Sequence, residues 1–252
     1  MSGNEVSPLE VIVFTVVPYV AITVFVVGHF WRYRYDQYRW GARSTQLLES
    51  RVLRYASNIF HIGVLAAIAG HVLGILVPIS WTSAVGLPDE TYHAIAAIGG
   101  ISAGVAVVVG LALLIYRRLR FPRVRVTTTR MDVAVFALLA VGIATGMLST
   151  LTSAFGTEVD YRETVAPYFR SLFIGDPRPQ LMTEPGVTFV FQFHVAFVWL
   201  LYATWPFSRL VHAWSIPVDF FRRSPIPYRS RGSRSRRPRR NAPATTAIRG
   251  GP

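Results

Sequence analysis

Five apolar stretches dominate this chain, each about as long as a bilayer is thick. They lie near residues 9–30, 57–79, 92–116, 131–153 and 186–207, and roughly 20 helical residues cross the hydrocarbon core. In that core no water reaches the backbone N–H and C=O groups, so a segment must satisfy them internally, which a helix does. The pattern predicts an all-α integral membrane protein, a bundle of five transmembrane helices. Composition agrees: 52% of the 252 residues are hydrophobic and 15% charged, whereas a soluble domain carries about 25% charge. The first stretch does not read as a cleaved signal peptide. Its leading flank, MSGNEVSPLE, has two acids and no base, and the bases follow the apolar run.

Arginine sets the expected orientation. The net charge is +13, and all 26 basic residues are arginine. Six lie in the 31–56 loop, six in 117–130 and eleven after the fifth stretch, so 23 of the 26 fall on one side. The other side has none before the first stretch, none in 80–91 and three in 154–185. The positive-inside rule makes the arginine-rich side cytoplasmic, with the N-terminus outside and the C-terminus inside. Because the arginines sit between apolar segments, nucleic acid is not expected as a partner. Residues 1–223 form the five-span domain. Residues 224–252, rich in Arg, Ser and Pro without an apolar period, read as a disordered basic cytoplasmic tail attracted to anionic lipid. Pro18, Pro78 and Pro206 are positioned to kink or end helices. The chain has no cysteine, which excludes disulfides, cysteine-ligated iron–sulfur clusters and a thioether-linked haem.

Ligand-forming side chains inside a span are functional candidates by default. His61 and His71 lie in the second stretch, His194 in the fifth, and His212 just past its inner end. At about 1.5 Å per residue, His61 lies roughly 6 Å and His71 roughly 21 Å from the inner edge. The fifth stretch runs the other way, with His194 roughly 12 Å from the outer edge and His212 roughly 39 Å along. In a core of about 30 Å, His71 therefore matches His194 in depth, and His61 matches His212. Two His/His pairs stacked along the membrane normal suit two b haems, each with two axial imidazoles, an arrangement for electron transfer. Gly63, Ala66, Ala67, Ala69, Gly70 and Gly74 are small residues expected to leave room for the macrocycles. Arg209, one turn before His212, is placed to meet haem propionates. Rotation is less regular than depth. His194 and His212, 18 residues apart, share a face if the helix is continuous. His61 and His71 are about 80° short of three turns, which requires rotated haems or a helix distorted near Gly70. The plainer expectation for His29 is an interfacial side chain reaching headgroups. His93 reads the same way or as a quinone contact. Asn58 and Gln192 are expected to hydrogen-bond between helices.

Four segments carry a resemblance to a known family: WRYRYDQYRWGARSTQLL, LRYASNIFHIGVLAAIAGHVLGILVP, FPRVRVTTTRMD and WPFSRLVHAWSIPV. They resemble the gamma subunit of membrane-bound respiratory nitrate reductase, a di-haem cytochrome b, over roughly residues 9–223. The resemblance implies that His71 and His194 ligate a distal haem b near the outer face, and His61 and His212 a proximal haem b near the cytoplasm. It implies that quinol, menaquinol or ubiquinol, is oxidised beside the distal haem. Electrons then pass to an iron–sulfur subunit and on to a molybdenum-containing catalytic subunit on the cytoplasmic face. The best-known members carry a lysine near the start of span three, linked to the quinol site. This chain has none, and Tyr92 and His93 stand in the corresponding stretch, with Gly70 and His71 as the other candidates beside the quinol. The alternatives are the cytochrome b subunit of another quinol-linked reductase, such as a sulfur-compound reductase, and a transporter using the histidines as a proton relay.

Overall fold

A computed structural model describes residues 6–36, 40–41, 44–155 and 160–215. The expected basic tail lies outside the described residues, which are helical and contain no strand. Five helices are long and apolar enough to cross a membrane: Pro8–Tyr35, Arg51–Leu76, Asp89–Arg120, Arg130–Phe155 and Phe189–Phe207, here spans one to five. The chain is a multi-pass membrane protein. Its lipid-facing surface inverts the water-soluble pattern, with Ile62 68% and Ile98 70% exposed.

Local chemistry explains the span boundaries. Span one opens with a reciprocal cap: the Ser7 N–H donates to Glu10 Oε2 at 2.8 Å, and the Glu10 N–H to Ser7 Oγ at 3.3 Å. Span four opens the same way, with the Thr129 N–H on Asp132 Oδ2 and the Asp132 N–H on Thr129 Oγ1. The Glu49 carboxylate accepts the Val52 and Leu53 N–H groups at the start of span two. Pro18 lacks the N–H that would bond the Phe14 carbonyl, and the Tyr168 hydroxyl donates to that carbonyl instead, at 3.0 Å. A five-residue π-helical segment, Ile12–Val16, precedes this proline. Span two ends in a second π-helical segment, Val72–Leu76, followed by extended Val77 and Pro78. Arg170 donates to the freed Ile75 carbonyl there at 2.7 Å.

The spans pack in the order two–three–four–five–one, forming an open arc in which spans two and five are not closely packed neighbours. Glycine sets the tightest of these contacts. A Cβ on Gly110 would sit 2.6 Å from the Phe60 backbone, and one on Gly63 2.8 Å from Val107 N. Spans two and three therefore touch backbone to backbone, as small residues permit in membranes. This corrects part of the expectation about space. Gly63 faces span three and Gly74 faces Tyr161, whose ring would lie 3.1 Å from an added Cβ. Of these three span-two glycines, only Gly70 would carry a Cβ that meets nothing within 4 Å.

The best-buried apolar cluster lies under the loop after span four, where Val165, Tyr168, Leu172 and Met182 meet Phe14, Phe191 and Trp199. That loop contains an α-helix, Val165–Phe173, and a 3-10 turn, Pro179–Met182. Gln192 donates to the Met182 carbonyl at 2.8 Å, so it ties span five to this loop rather than to another span. No hydrogen bond is recorded for the exposed Asn58 side chain among the described residues. At the arginine-rich end, buried Arg117 donates to Glu49 Oε2 at 2.7 Å and to Thr45 Oγ1 at 3.0 Å, pinning the first inner loop to span three.

Candidate functional site

The gap between spans two and five is where the histidines meet. The His61 and His212 rings are centred 5.9 Å apart, and those of His71 and His194 6.3 Å apart. Each ring is held the same way. His61 Nδ1 lies 2.7 Å from the Ser57 carbonyl, His71 Nδ1 2.7 Å from Ala67, His194 Nδ1 3.0 Å from Gly142 and His212 Nδ1 2.7 Å from Arg209. A carbonyl oxygen only accepts, so Nδ1 carries the proton and Nε2 keeps its lone pair. This is the tautomer a metal-ligating histidine adopts. Two imidazoles sharing one metal ion, with bonds of about 2 Å and about 1.1 Å from nitrogen to ring centre, would have centres about 6 Å apart. Both pairs match that separation. The donor set is two neutral nitrogens across an apolar gap, which suits the axial sites of a haem.

His29 shows why the facing partner matters. Its Nδ1 is also bonded to a carbonyl, that of Phe25 at 2.7 Å. No second histidine faces it. Its ring lies 4.2 Å from the Phe25 ring and is edge-on to Trp40 and Trp214. The ring thus has a half-buried place in an aromatic cluster.

Two steps of the helical arithmetic need correction. Span five does not continue to His212. Its α-helix ends at Thr204, Pro206 follows, and Ser208 is extended, with φ −111° and ψ 179°. His212 lies on a separate 3-10 turn, Arg209–Ala213, which starts where Ser208 Oγ accepts the Leu210 N–H. Counting five turns from His194 is therefore not what brings His212 to His61; the break does. The suggested distortion near Gly70 is found just beyond it, after His71, so it does not change the rotation from His61 to His71. The α-helix runs unbroken from Arg51 to His71, and the π-helical segment begins only after it. The two pairs are accordingly rotated relative to each other around span two.

Span four buttresses the His71/His194 pair, which the sequence reading overlooked. A Cβ on Gly146 would lie 2.8 Å from His194 Cε1, so glycine gives the ring its place. Gly142 supplies the carbonyl, and Thr145 Oγ1 lies 3.2 Å from Nδ1. The signal was there: Gly142 and Gly146 form a G-x-x-x-G pattern, which marks close helix contact in membranes. At the other pair, the Arg209 guanidinium is engaged by buried Asp132, at 2.9 Å, and by the Thr127 carbonyl at 3.3 Å. Arg118 Nη1 lies 3.6 Å from the same carboxylate.

With this geometry in place, comparison with known proteins is decisive. A family model described as the nitrate reductase gamma subunit matches residues 10–231. The chain belongs to the nitrate reductase gamma subunit family. It is 37% identical over 220 residues to the nitrate reductase gamma chain of Bacillus subtilis, covering 87% of this chain and 98% of that one. It is also 37% identical over 217 residues to the respiratory nitrate reductase 1 gamma chain of Escherichia coli, covering 85% and 95%. The nitrate reductase-like protein NarX of Mycobacterium tuberculosis is 44% identical over 220 residues, 86% of this chain but 33% of NarX. The chain thus spans about a third of that relative's length.

The remaining candidates of this gamma-family chain gather at the end of the bundle away from the arginine-rich loops. Tyr92 and His93 occupy the first turns of span three, beside Asp160, Tyr161 and Arg162. His93 Nε2 lies 3.7 Å from Asp160 Oδ2. Arg162, its side chain 1% exposed, donates to Asp89 and Thr82 and stacks 3.8 Å from the centre of the Tyr92 ring. Burial, together with the neighbouring Tyr92, pushes the Tyr161 hydroxyl above its ordinary pKa, so it stays protonated. The Tyr161 ring packs on Gly74, three residues beyond His71, and lies 6.1 Å from His93. His93, Tyr92 and the span-two segment that follows His71 are therefore linked through one aromatic ring.

Proposed function

We propose that this chain is the quinol-oxidising cytochrome b subunit of a nitrate reductase, and that it passes electrons across the membrane to partner subunits. The observation that carries this reading is the pair of facing histidine couples, His71/His194 and His61/His212, each with Nε2 free. Ten residues separate the couples along span two, about 15 Å. When bound, two b haems supply one-electron transfer between those levels. His71 and His194 would hold the distal haem, His61 and His212 the proximal one. The carbonyl bonds to Nδ1 fix ring orientation and make each nitrogen a better donor. Arg209, close in sequence to His212 at the arginine-rich end, would be the residue to meet a propionate there.

The quinol, menaquinol or ubiquinol, is assigned to the opposite end, beside His71, open Gly70, Tyr92 and His93. There the protein's own groups would orient the substrate and take its protons. The arginine count supports an outer position for this end and a cytoplasmic one for the other. An iron–sulfur subunit and a molybdenum-containing subunit that reduces nitrate would dock on the arginine-rich loops. Complementary charge favours such docking.

The test is an optical one. Membranes holding the complex, reduced with a quinol, should show a b-haem α band that bleaches when nitrate is added. Pyridine haemochrome should give two haems per chain. His71→Ala and His194→Ala should each remove the same haem, and His61→Ala and His212→Ala the other. Absence of the b band would refute the reading. A complex with a molybdenum subunit but no nitrate-dependent bleaching would assign the chain to a different reductase.

A further inference from the structure

The loop after span four reaches back over the start of span three and presents one carboxylate to one imidazole. Asp160 is held for this. Its Oδ1 accepts the Arg162 backbone N–H at 2.8 Å, and its Oδ2 lies 3.7 Å from His93 Nε2. Thr164 Oγ1 and the Glu163 N–H bond the Asp160 carbonyl, fixing the residue on both sides. Arg162 anchors the strap. Its guanidinium is buried between Thr82, Asp89 and the face of Tyr92, while its backbone orients the carboxylate. His93 is 38% and Asp160 31% exposed, so the pair lies at the water boundary rather than in the bundle. The His93 ring makes no hydrogen bond among the described residues, and its second nitrogen is left for a ligand.

From this geometry we infer that His93 and Asp160 form a proton-accepting dyad for the quinol, with Arg162 as its positioning residue. The inference rests on the function proposed above and adds Asp160 and Arg162 to it. Oxidation of a quinol to a quinone releases two protons and two electrons, and b haems held by the histidine couples would be the oxidant that takes the electrons. Each proton breaks from a quinol hydroxyl and bonds to the free imidazole nitrogen of His93. The proton on Nε2 passes to Asp160 Oδ2 and from there to water, and before the second transfer the ring loses its gained proton to water and regains one on Nε2, which restores the free nitrogen. A carboxylate behind an imidazole both orients the ring and stabilises its cationic form. The 3.7 Å separation is in the ion-pair range, and catalytic contacts of this kind shorten when substrate binds. Tyr92, Tyr161 and Asp89 are the other titratable groups at the pair. The hydroxyl of Tyr161 stays protonated, and Asp89 is paired with Arg162.

The experiment uses membranes with the assembled complex and a water-soluble quinol, following b-haem reduction by stopped flow. Asp160→Asn should keep the b α band and slow reduction about 100-fold. Added acetate, a diffusible carboxylate, should restore at least tenfold of that loss, while the parent rate stays unchanged. Asp160→Glu should remain within threefold of the parent, and Glu163→Gln, an exposed neighbour, should match it. An Asp160→Asn rate within twofold of the parent overturns the inference, as does a slow rate that acetate does not lift. If Asp160→Asn loses its b band, His93→Gly carries the same test with imidazole as the rescuing base. Loss of the band in both variants also overturns the inference, since both residues would then be scaffold. A parent protein without a b band overturns the proposed function instead.

Discussion

Replacing Gly146 by alanine isolates the support that span four gives to His194. The added Cβ would lie 2.8 Å from His194 Cε1 and 3.3 Å from Nδ1. Ordinary contact between such atoms begins near 3.4 Å, so the ring must retreat by roughly 0.6 Å. Metal–ligand distances tolerate only about 0.2 Å, and the retreat is about three times that. The same movement stretches the 3.0 Å bond to the Gly142 carbonyl, at a net cost of about 1 kcal/mol. Alanine is better than glycine in a helix by about 1 kcal/mol, so the two effects on folding roughly cancel. Gly146→Ala should therefore keep its melting temperature in detergent within a few degrees while losing or weakening one haem of two. Pyridine haemochrome titration gives the number, and a redox titration shows which potential has gone. A variant with two haems at unchanged potentials would show that the ring is free to shift, and that the span-four contact does not set ligation.

Other perturbations probe the scaffold. Gly110→Ala should destabilise the protein by about 1–3 kcal/mol, because its Cβ would press 2.6 Å from the Phe60 backbone, which cannot rotate away. Thermal denaturation followed by circular dichroism measures the loss, and Gly142→Ala, where a Cβ meets nothing within 4 Å, is the control. For Glu49, burial would raise the carboxyl pKa, but hydrogen bonds from Val52, Arg117 and Leu53 outweigh it and hold the group below its ordinary value. A depressed carboxyl contributes stability that is complete above the unfolded value of about 4.3 and is lost as pH falls through the folded one. Melting temperature should drop with acidification below about pH 4, and Glu49→Gln, already lacking that contribution, should show a shallower decline.

The number, lengths and order of the spans could be read without any coordinates. Burying about 20 residues in hydrocarbon leaves few alternatives to a helix, and every expected span contains most of an observed one. The separation of His61 from His71 along span two was readable for the same reason, since rise per residue is nearly constant within one helix. Rotation and continuity were not. Pro206 advertises an end to span five, yet only the packed structure turns the chain at Ser208 and returns His212 to His61 on a separate turn. The roles of the glycines were likewise hidden. A glycine leaves the same mark in the sequence whether it admits a neighbouring helix, as Gly63 and Gly110 do, a ring, as Gly146 does, or nothing, as at Gly70. The Asp160–Arg162 strap lies some 70 residues from the His93 turn it meets, and no local pattern links the two. The sequence by itself determined a five-span membrane protein with histidines on and near its second and fifth spans, because hydrophobic length and residue order are local properties. Tertiary structure alone decided how the chain returns His212 to His61, which glycine touches what, and which carboxylate reaches His93, because those depend on how helices pack against one another across the bundle.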